Sequence, residues 1–189
     1  MTSPLRPQFP STPMTVEEFL AWSEDQPGRY EMYEGQIYSM AAERASHARE
    51  KYAVQKELER ALIAAGSPCH MLPDGMTVRV ADNSSFEPDA LVHCGEETGD
   101  DEVEVKAPVI VVEVISPSTR RIDATQKLEG YFRLPSIEHY LIISPIRPPL
   151  ILHSRQADGA ILTRLIHMGS LHLDPPGITL EVAKLFRKL

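Results

Sequence analysis

The stretch Pro108-Val109-Ile110-Val111-Val112-Glu113-Val114-Ile115-Ser116 is apolar and largely β-branched, apart from Glu113 within it and Ser116 at its end. Its length and composition predict a strand buried on both faces in the middle of a sheet. An ionised carboxylate taken out of water is unfavourable by several kcal/mol unless a partner, hydrogen bonds or a metal compensates it. Glu113 therefore points to a site rather than to a requirement of the fold, although a surface strand end or a buried Arg or Lys partner would also accommodate it. A second acid heads another short apolar run, Pro88-Asp89-Ala90-Leu91-Val92-His93. Neighbouring strands carrying Asp89 and Glu113 at comparable heights would present both carboxylates to one hard cation.

Upstream, Thr15 with Glu18 three residues on forms a capping box opening a short amphipathic helix. Strand-like residues flank Glu34-Gly35 in Arg29–Met40, a hairpin with Gly35 available for the positive φ of a tight turn. Ser46 is the expected cap of a long helix to about Ala65, with Val54, Leu58, Ala61, Leu62 and Ala65 on one face and Gly66 as its stop. Strands are expected at Met76–Val80, Asp89–Val92 and Val109–Ile115, followed by a helix from about Arg121 to Arg133. Further strands follow at His139–Ile143, Leu150–His153 and Ile161–Ile166, with a closing amphipathic turn or helix over Leu180–Leu189. This order predicts a mixed-sheet α/β or α+β domain, with a flexible Pro-rich tail over residues 1–13 and one domain over 14–189.

The 189 residues, 42% hydrophobic and 24% charged, suffice for one core without staples. The two cysteines, Cys69 and Cys94, give no disulfide framework or Cys/His metal spacing and read as two small buried residues in a reducing, cytoplasmic setting. No run has the apolar length of a membrane span, and the first residues lack the hydrophobic centre of a signal peptide. The formal charge of -8 argues against a broadly basic nucleic-acid binder, although much of the acid lies in Gly95–Glu104, which reads as a solvated loop.

Taken together, MTVEEFLAW, RYEMYEGQIYSM, the helix start at His47, EPDALV, VIVVEVISPST, DATQKLEGYF and IEHYLIISP resemble the PD-(D/E)XK nuclease superfamily. The likeness is closest to its restriction-endonuclease-like Uma family of bacterial proteins, and it runs over most of the chain. It implies a restriction-endonuclease-like core with a mixed central sheet flanked by helices, an N-terminal helix and β-hairpin, and a metal-dependent endonuclease acting on DNA. Two residues after Glu113, where the superfamily motif has Lys, stands Ile115. Asp123, Lys127 and Tyr131 are spaced i, i+4, i+8 on one helix face. The resemblance makes Lys127 the relocated lysine, whereas the spacing alone is equally that of a surface Asp–Lys pair.

The implied roles are Asp89, Glu113 and the backbone carbonyl of Val114 as ligands of Mg²⁺ or Mn²⁺, with Lys127 positioning the attacking water. Glu31 matches a family acid and is a candidate ligand for a second ion, while His47 is a candidate to meet a phosphate or a metal ligand. Asp123 accompanies Lys127. Ser116, Ser118 and Thr119 are expected to cap the following helix, leaving Arg120 and Arg121 free to touch a phosphate backbone. Leu141 and Ser144 stand where the family usually has Trp and Asp. The other histidines lack zinc spacing. DNA and a second copy of the chain are the expected partners. The alternative is a catalytically silent nucleic-acid-binding or protein-interaction module on the same fold.

Overall fold

The computed structural model describes residues 10, 12–115, 124–144 and 148–186. Helix α1 (Val16–Glu24) opens on the expected capping box: Glu18 N donates to Thr15 Oγ1 and Thr15 N donates to Glu18 Oε2. The hairpin follows as β1 (Tyr30–Tyr33) and β2 (Gln36–Ser39), turned by Glu34 at φ 51° and Gly35 at φ 73°. Two consecutive positive-φ residues match the right-handed twist of paired strands. Helix α2 (Ala45–Ala65) begins about two residues earlier than a Ser46 cap would place it: Arg44 is its N-cap and makes no side-chain cap bond. Gly66 ends it in the left-handed region at φ 59°.

Strands β3 (Cys69–Pro73), β4 (Val78–Ala81), β5 (Ser84–Phe86), β6 (Ala90–Cys94) and β7 (Pro108–Val114) lead to helix α3 (Ala124–Arg133). After it come β8 (His139–Ile143), β9 (Leu150–Arg155), β10 (Ile161–Ile166), β11 (Ser170–Leu173), β12 (Ile178–Glu181) and a 3-10 helix, Val182–Lys184. Where a closing amphipathic turn or helix was expected from Leu180, the described residues finish strand β12 at Glu181 and then make the short 3-10 turn.

The main sheet has six strands in the order β10-β9-β8-β7-β6-β3. Only the β7–β8 pair is parallel, joined through α3, so the sheet is mixed. Strand β7 is central, as its apolar run demands. Ile110, Val112 and Val114 enter a core with Val54, Leu58, Ala61 and Leu62 of α2 and with the β11–β12 hairpin. Alternate residues face the other way: Val111 joins Leu91, Tyr140, Tyr131 of α3 and Phe86 of a second, four-stranded sheet, β2-β1-β5-β4. Among the described residues, no helix is long and apolar enough to cross a membrane.

One expectation about the cysteines is overturned. Strands β3 and β6 pair antiparallel with Cys69 directly opposite Cys94, and the two are joined by a disulfide. Cys69 is buried and Cys94 exposed. They stand 25 positions apart in sequence, at the two ends of a strand-to-strand excursion whose register no local spacing rule displays. The reducing setting inferred from unpaired cysteines loses that support.

Candidate active site

Continuing the β6–β7 register, Ala90 opposite Val112 and Leu91 opposite Val111, by one residue sets Asp89 against Glu113. The main chain holds it there, because Asp89 N donates to Val112 O at 2.9 Å and Val114 N donates to Asp89 Oδ2 at 2.6 Å. Both acids therefore stand on neighbouring strands at one level. The tertiary contacts of each come from a different helix.

Helix α3 serves Glu113. Lys127 Nζ donates to Glu113 Oε1 at 2.8 Å and Tyr131 OH donates to the same oxygen at 2.6 Å. One helical turn separates the two donors, so a single face of α3 aims both at β7. Tyr131 is fully buried between Phe86 and Tyr140, ring centroids 5.3 and 5.0 Å away. Lys127 also donates to Glu31 Oε1 at 2.7 Å, and its ammonium lies 5.4 Å from the Phe86 ring centre. Glu31 is 3% exposed and accepts from Glu87 N as well. It therefore ties the lysine to the smaller sheet.

Helix α2 serves Asp89. His47, Lys51 and Gln55, one turn apart, reach the Val114 carbonyl, Asp89 Oδ1 and the Asp89 carbonyl in succession. Lys51 Nζ lies 3.4 Å from Asp89 Oδ1, 2.7 Å from Asp74 Oδ2 and 2.5 Å from Glu43 Oε1. Arg29 extends the ion-pair chain outward to Asp74 and Glu87.

Burial dominates the electrostatics. Desolvation raises the Glu113 carboxyl to about 7 against the opposing pull of Lys127, with Asp89 and Glu31 adding repulsion. Asp89 is likewise pushed up by desolvation, although the Val114 N–H and the charges of Lys51, His47 and Lys127 oppose it. Burial alone would lower Lys127, but the charges of Glu113 and Glu31 hold it well above the ordinary lysine value. The Tyr131 hydroxyl is also raised, by desolvation and then by the Glu113 charge. At neutral pH the cluster is thus a cationic lysine between acids, one of which is poised to exchange its proton.

Three comparisons with known proteins bear on this arrangement. The profile of the Uma2 family, described as "Putative restriction endonuclease", matches residues 16–183. The chain belongs to the Uma2 family. It is similar to an uncharacterised protein of Synechocystis, slr1290, at 27% identity over 186 residues, covering 97% of this chain and 96% of that one. A second uncharacterised Synechocystis protein, sll1609, is 27% identical over 133 residues, covering 69% of this chain and 74% of that one. Among solved structures, a protein of Anabaena variabilis titled a "putative nuclease belonging to DUF820" superposes with a TM-score of 0.70. It shares 17% identity and is covered over 92% of this chain and 97% of that one, which shows the likeness of fold.

In this Uma2 chain the expected residues Asp89, Glu113, Val114, Lys127, Glu31 and His47 gather around the ends of β6 and β7. Ser116, Ser118, Thr119, Arg120, Arg121 and Asp123 lie outside the described residues. Glu31 contacts Lys127, whereas His47 sits on the Asp89 side. Tyr131, expected on the Lys127 face, joins the cluster; Glu43, Lys51, Gln55 and Asp74 also belong to it, and sequence reasoning gave these four no role in the site. A signal for three of these was present: Glu43, Lys51 and Gln55 repeat at intervals of eight and four, Glu43 just before the Arg44 cap and the other two beside the apolar stripe of α2. For Asp74, at the end of an unforeseen edge strand, there was none.

Proposed function

We propose that this chain is a divalent-metal-dependent endonuclease that hydrolyses phosphodiester bonds of DNA. The observation that carries the reading is the opposed Asp89 and Glu113 pair, with the buried Lys127 ammonium bonded to Glu113 at 2.8 Å. Asp89, Glu113 and the Val114 carbonyl are all oxygen donors at the ends of adjacent strands, a set that suits Mg²⁺ or Mn²⁺. Such an ion, when bound, neutralises charge on the scissile phosphate and lowers the pKa of the attacking water.

The protein's own groups do the rest. Lys127 keeps its proton, so it donates a hydrogen bond and positive charge where the phosphorane charge develops. Glu31 anchors its stem end when Glu113 turns toward a ligand. Tyr131 fixes the Glu113 carboxylate in plane, and the Val114 N–H does the same for Asp89. A homodimer bringing two such sites to two strands belongs to this reading, as does a cytoplasmic setting where DNA is met. The family's restriction-endonuclease description and the nuclease title of the Anabaena protein support it.

A second reading, a catalytically silent nucleic-acid-binding or interaction module, is favoured by one fact: Glu113 Oε1 already has two donors of its own. Incubation of plasmid and oligonucleotide DNA with Mg²⁺ or Mn²⁺ separates the two. Cleavage abolished by EDTA and by Asp89→Ala supports the enzyme. Polyanion binding at low salt without cleavage under any ion supports the silent module.

A further inference from the structure

Strand β10 is an open edge of the six-stranded sheet. It runs in unbroken register against β9, from Ile161 opposite Arg155 to Ile166 opposite Leu150, with no bulge, Pro, Lys or acid to blunt it. Its apolar side chains are exposed: Leu162 at 47%, Leu165 at 61% and, just past the strand, Met168 at 81%. The other edge, β3, ends in Pro73, which has no N–H to offer. The chain also withholds acid from the β10 edge. Although Asp and Glu outnumber Lys and Arg by 27 to 19, none lies between Asp158 and Asp174, where Arg164, His167 and His172 stand. The self-repulsion that keeps acidic surfaces apart is absent here. The outward main-chain groups follow from the neighbouring ladders. Arg155 N donates to Glu138 O and Gln156 N to Ala160 O, so odd-numbered residues of β9 bond to β8 and even-numbered ones to β10. Across the β9–β10 register, Leu162, Arg164 and Ile166 therefore bond to β9, while Ile161, Thr163 and Leu165 turn their N–H and C=O groups outward.

We infer that β10 is the pairing strand of a homodimer, in which two copies of the chain join edge to edge and antiparallel, about a twofold axis at Thr163, into one continuous sheet. A twofold axis normal to the sheet keeps each face on its own side, so residues opposite each other are both odd or both even. With Thr163 opposite itself, Ile161 and Leu165 fall opposite Leu165 and Ile161 of the second copy, and each of these pairs exchanges two main-chain bonds. Leu165 is then flanked by Ile161 of the second copy and by Ile151 of its own β9. Leu162 meets the apolar stem of Arg164 of the second copy. An axis at Arg164 would set two guanidinium groups directly against each other, which disfavours that register. An axis at Leu162 would leave Leu165 facing Gly159 of the β9–β10 turn. The pairing gives the homodimer of the nuclease reading a surface, yet it rests on the strand edge alone, so its failure leaves the Asp89–Glu113 chemistry standing.

Sedimentation velocity of the full chain is the first readout. A contact one strand wide makes a weak dimer, so the mean mass should climb toward twice the monomer's as concentration rises from about 1 µM to about 100 µM. Leu165→Lys places a charge on the pairing edge, and Thr163→Pro deletes an outward N–H that β9 does not use. Each should raise the dimer dissociation constant about tenfold or more while circular dichroism stays that of the wild type. Under mild oxidation Thr163→Cys should cross-link two copies, because the axis brings the pair within disulfide reach, and Arg164→Cys should do so far less. A protein that stays monomeric at every concentration overturns the pairing, and DNA cleavage by that monomer would leave the nuclease reading intact. A dimer that both edge variants leave unchanged, or one that cross-links faster through Arg164→Cys than through Thr163→Cys, also overturns it.

Discussion

Replacing Glu113 by Gln should flatten the pH dependence of stability. The folded carboxyl binds its proton more tightly than the unfolded one, at about 7 against 4.5. That displacement corresponds to about 3 kcal/mol at roughly 1.4 kcal/mol per pH unit. Between those two values the folded state carries the extra proton, so its contribution is favourable below about pH 4.5 and is lost as pH rises toward 7. From about pH 5 to about pH 7.5 the wild-type protein should therefore lose about 2 kcal/mol that Glu113→Gln does not lose. Gln retains an acceptor for Lys127 and Tyr131 but has no proton to release. Asp89 and Glu87 are also raised by burial, and Glu57 and Asp74 are lowered, so the informative quantity is the difference between the two proteins. Urea unfolding in EDTA at several pH values measures it. Parallel pH profiles for the two proteins would refute the claim that Glu113 is a desolvated acid titrating near neutrality.

Other consequences are separable. Lys127→Met leaves Glu31 and Glu113 buried without their cation and should lower stability by about 3–5 kcal/mol at neutral pH, less at about pH 5 where Glu113 is protonated. Urea titrations at the two pH values check it. Gly130→Ala would set a Cβ 2.6 Å from Phe86 Cε2 and 3.4 Å from Val80 Cγ2. Since α3 carries Lys127 and Tyr131 on the adjoining face, the variant should lose about 1–3 kcal/mol in equilibrium unfolding and weaken any catalysis that depends on Lys127. Reduction of Cys69–Cys94 opens a loop spanning 25 residues and should lower stability by about 3 kcal/mol. Calorimetric Mn²⁺ affinity should be unchanged by reduction, because the sulfurs lie at the opposite end of the β3–β6 ladder from the Pro73↔Ala90 rung beside Asp89.

The centre of the fold was legible because β7 is buried on both faces, so its composition is that of a strand whatever surrounds it. The same held for α1, whose capping box is local, and for the Glu34-Gly35 turn. Strand β3 escaped because its Cys-His-Met-Leu-Pro run is an edge strand with half-buried residues and no alternation. Strands β5, β11 and β12 are three or four residues long and are defined by their partners rather than by their own pattern. At the site, Asp89 and Glu113 were visible as acids in apolar runs. That they stand opposite each other depends on the β6–β7 register, a long-range property. Lys127 was legible through resemblance, since i, i+4 spacing marks a solvated face as readily as a buried one. The α2 contribution hid in a helix that reads as ordinary amphipathic surface: Lys51 is a residue type almost never buried, yet it is 5% exposed because three carboxylates surround it.

The most direct test of the central claim compares Mn²⁺-dependent DNA cleavage by the wild-type protein with that by Lys127→Met and the charge-preserving Lys127→Arg, each shown to be folded by circular dichroism. If the ammonium held between Glu31 and Glu113 stabilises the transition state, cleavage should fall by roughly 10²-fold or more in Lys127→Met while Mn²⁺ binds as well or better. Lys127→Arg should recover part of the rate. Cleavage by folded Lys127→Met at the wild-type rate would contradict the account.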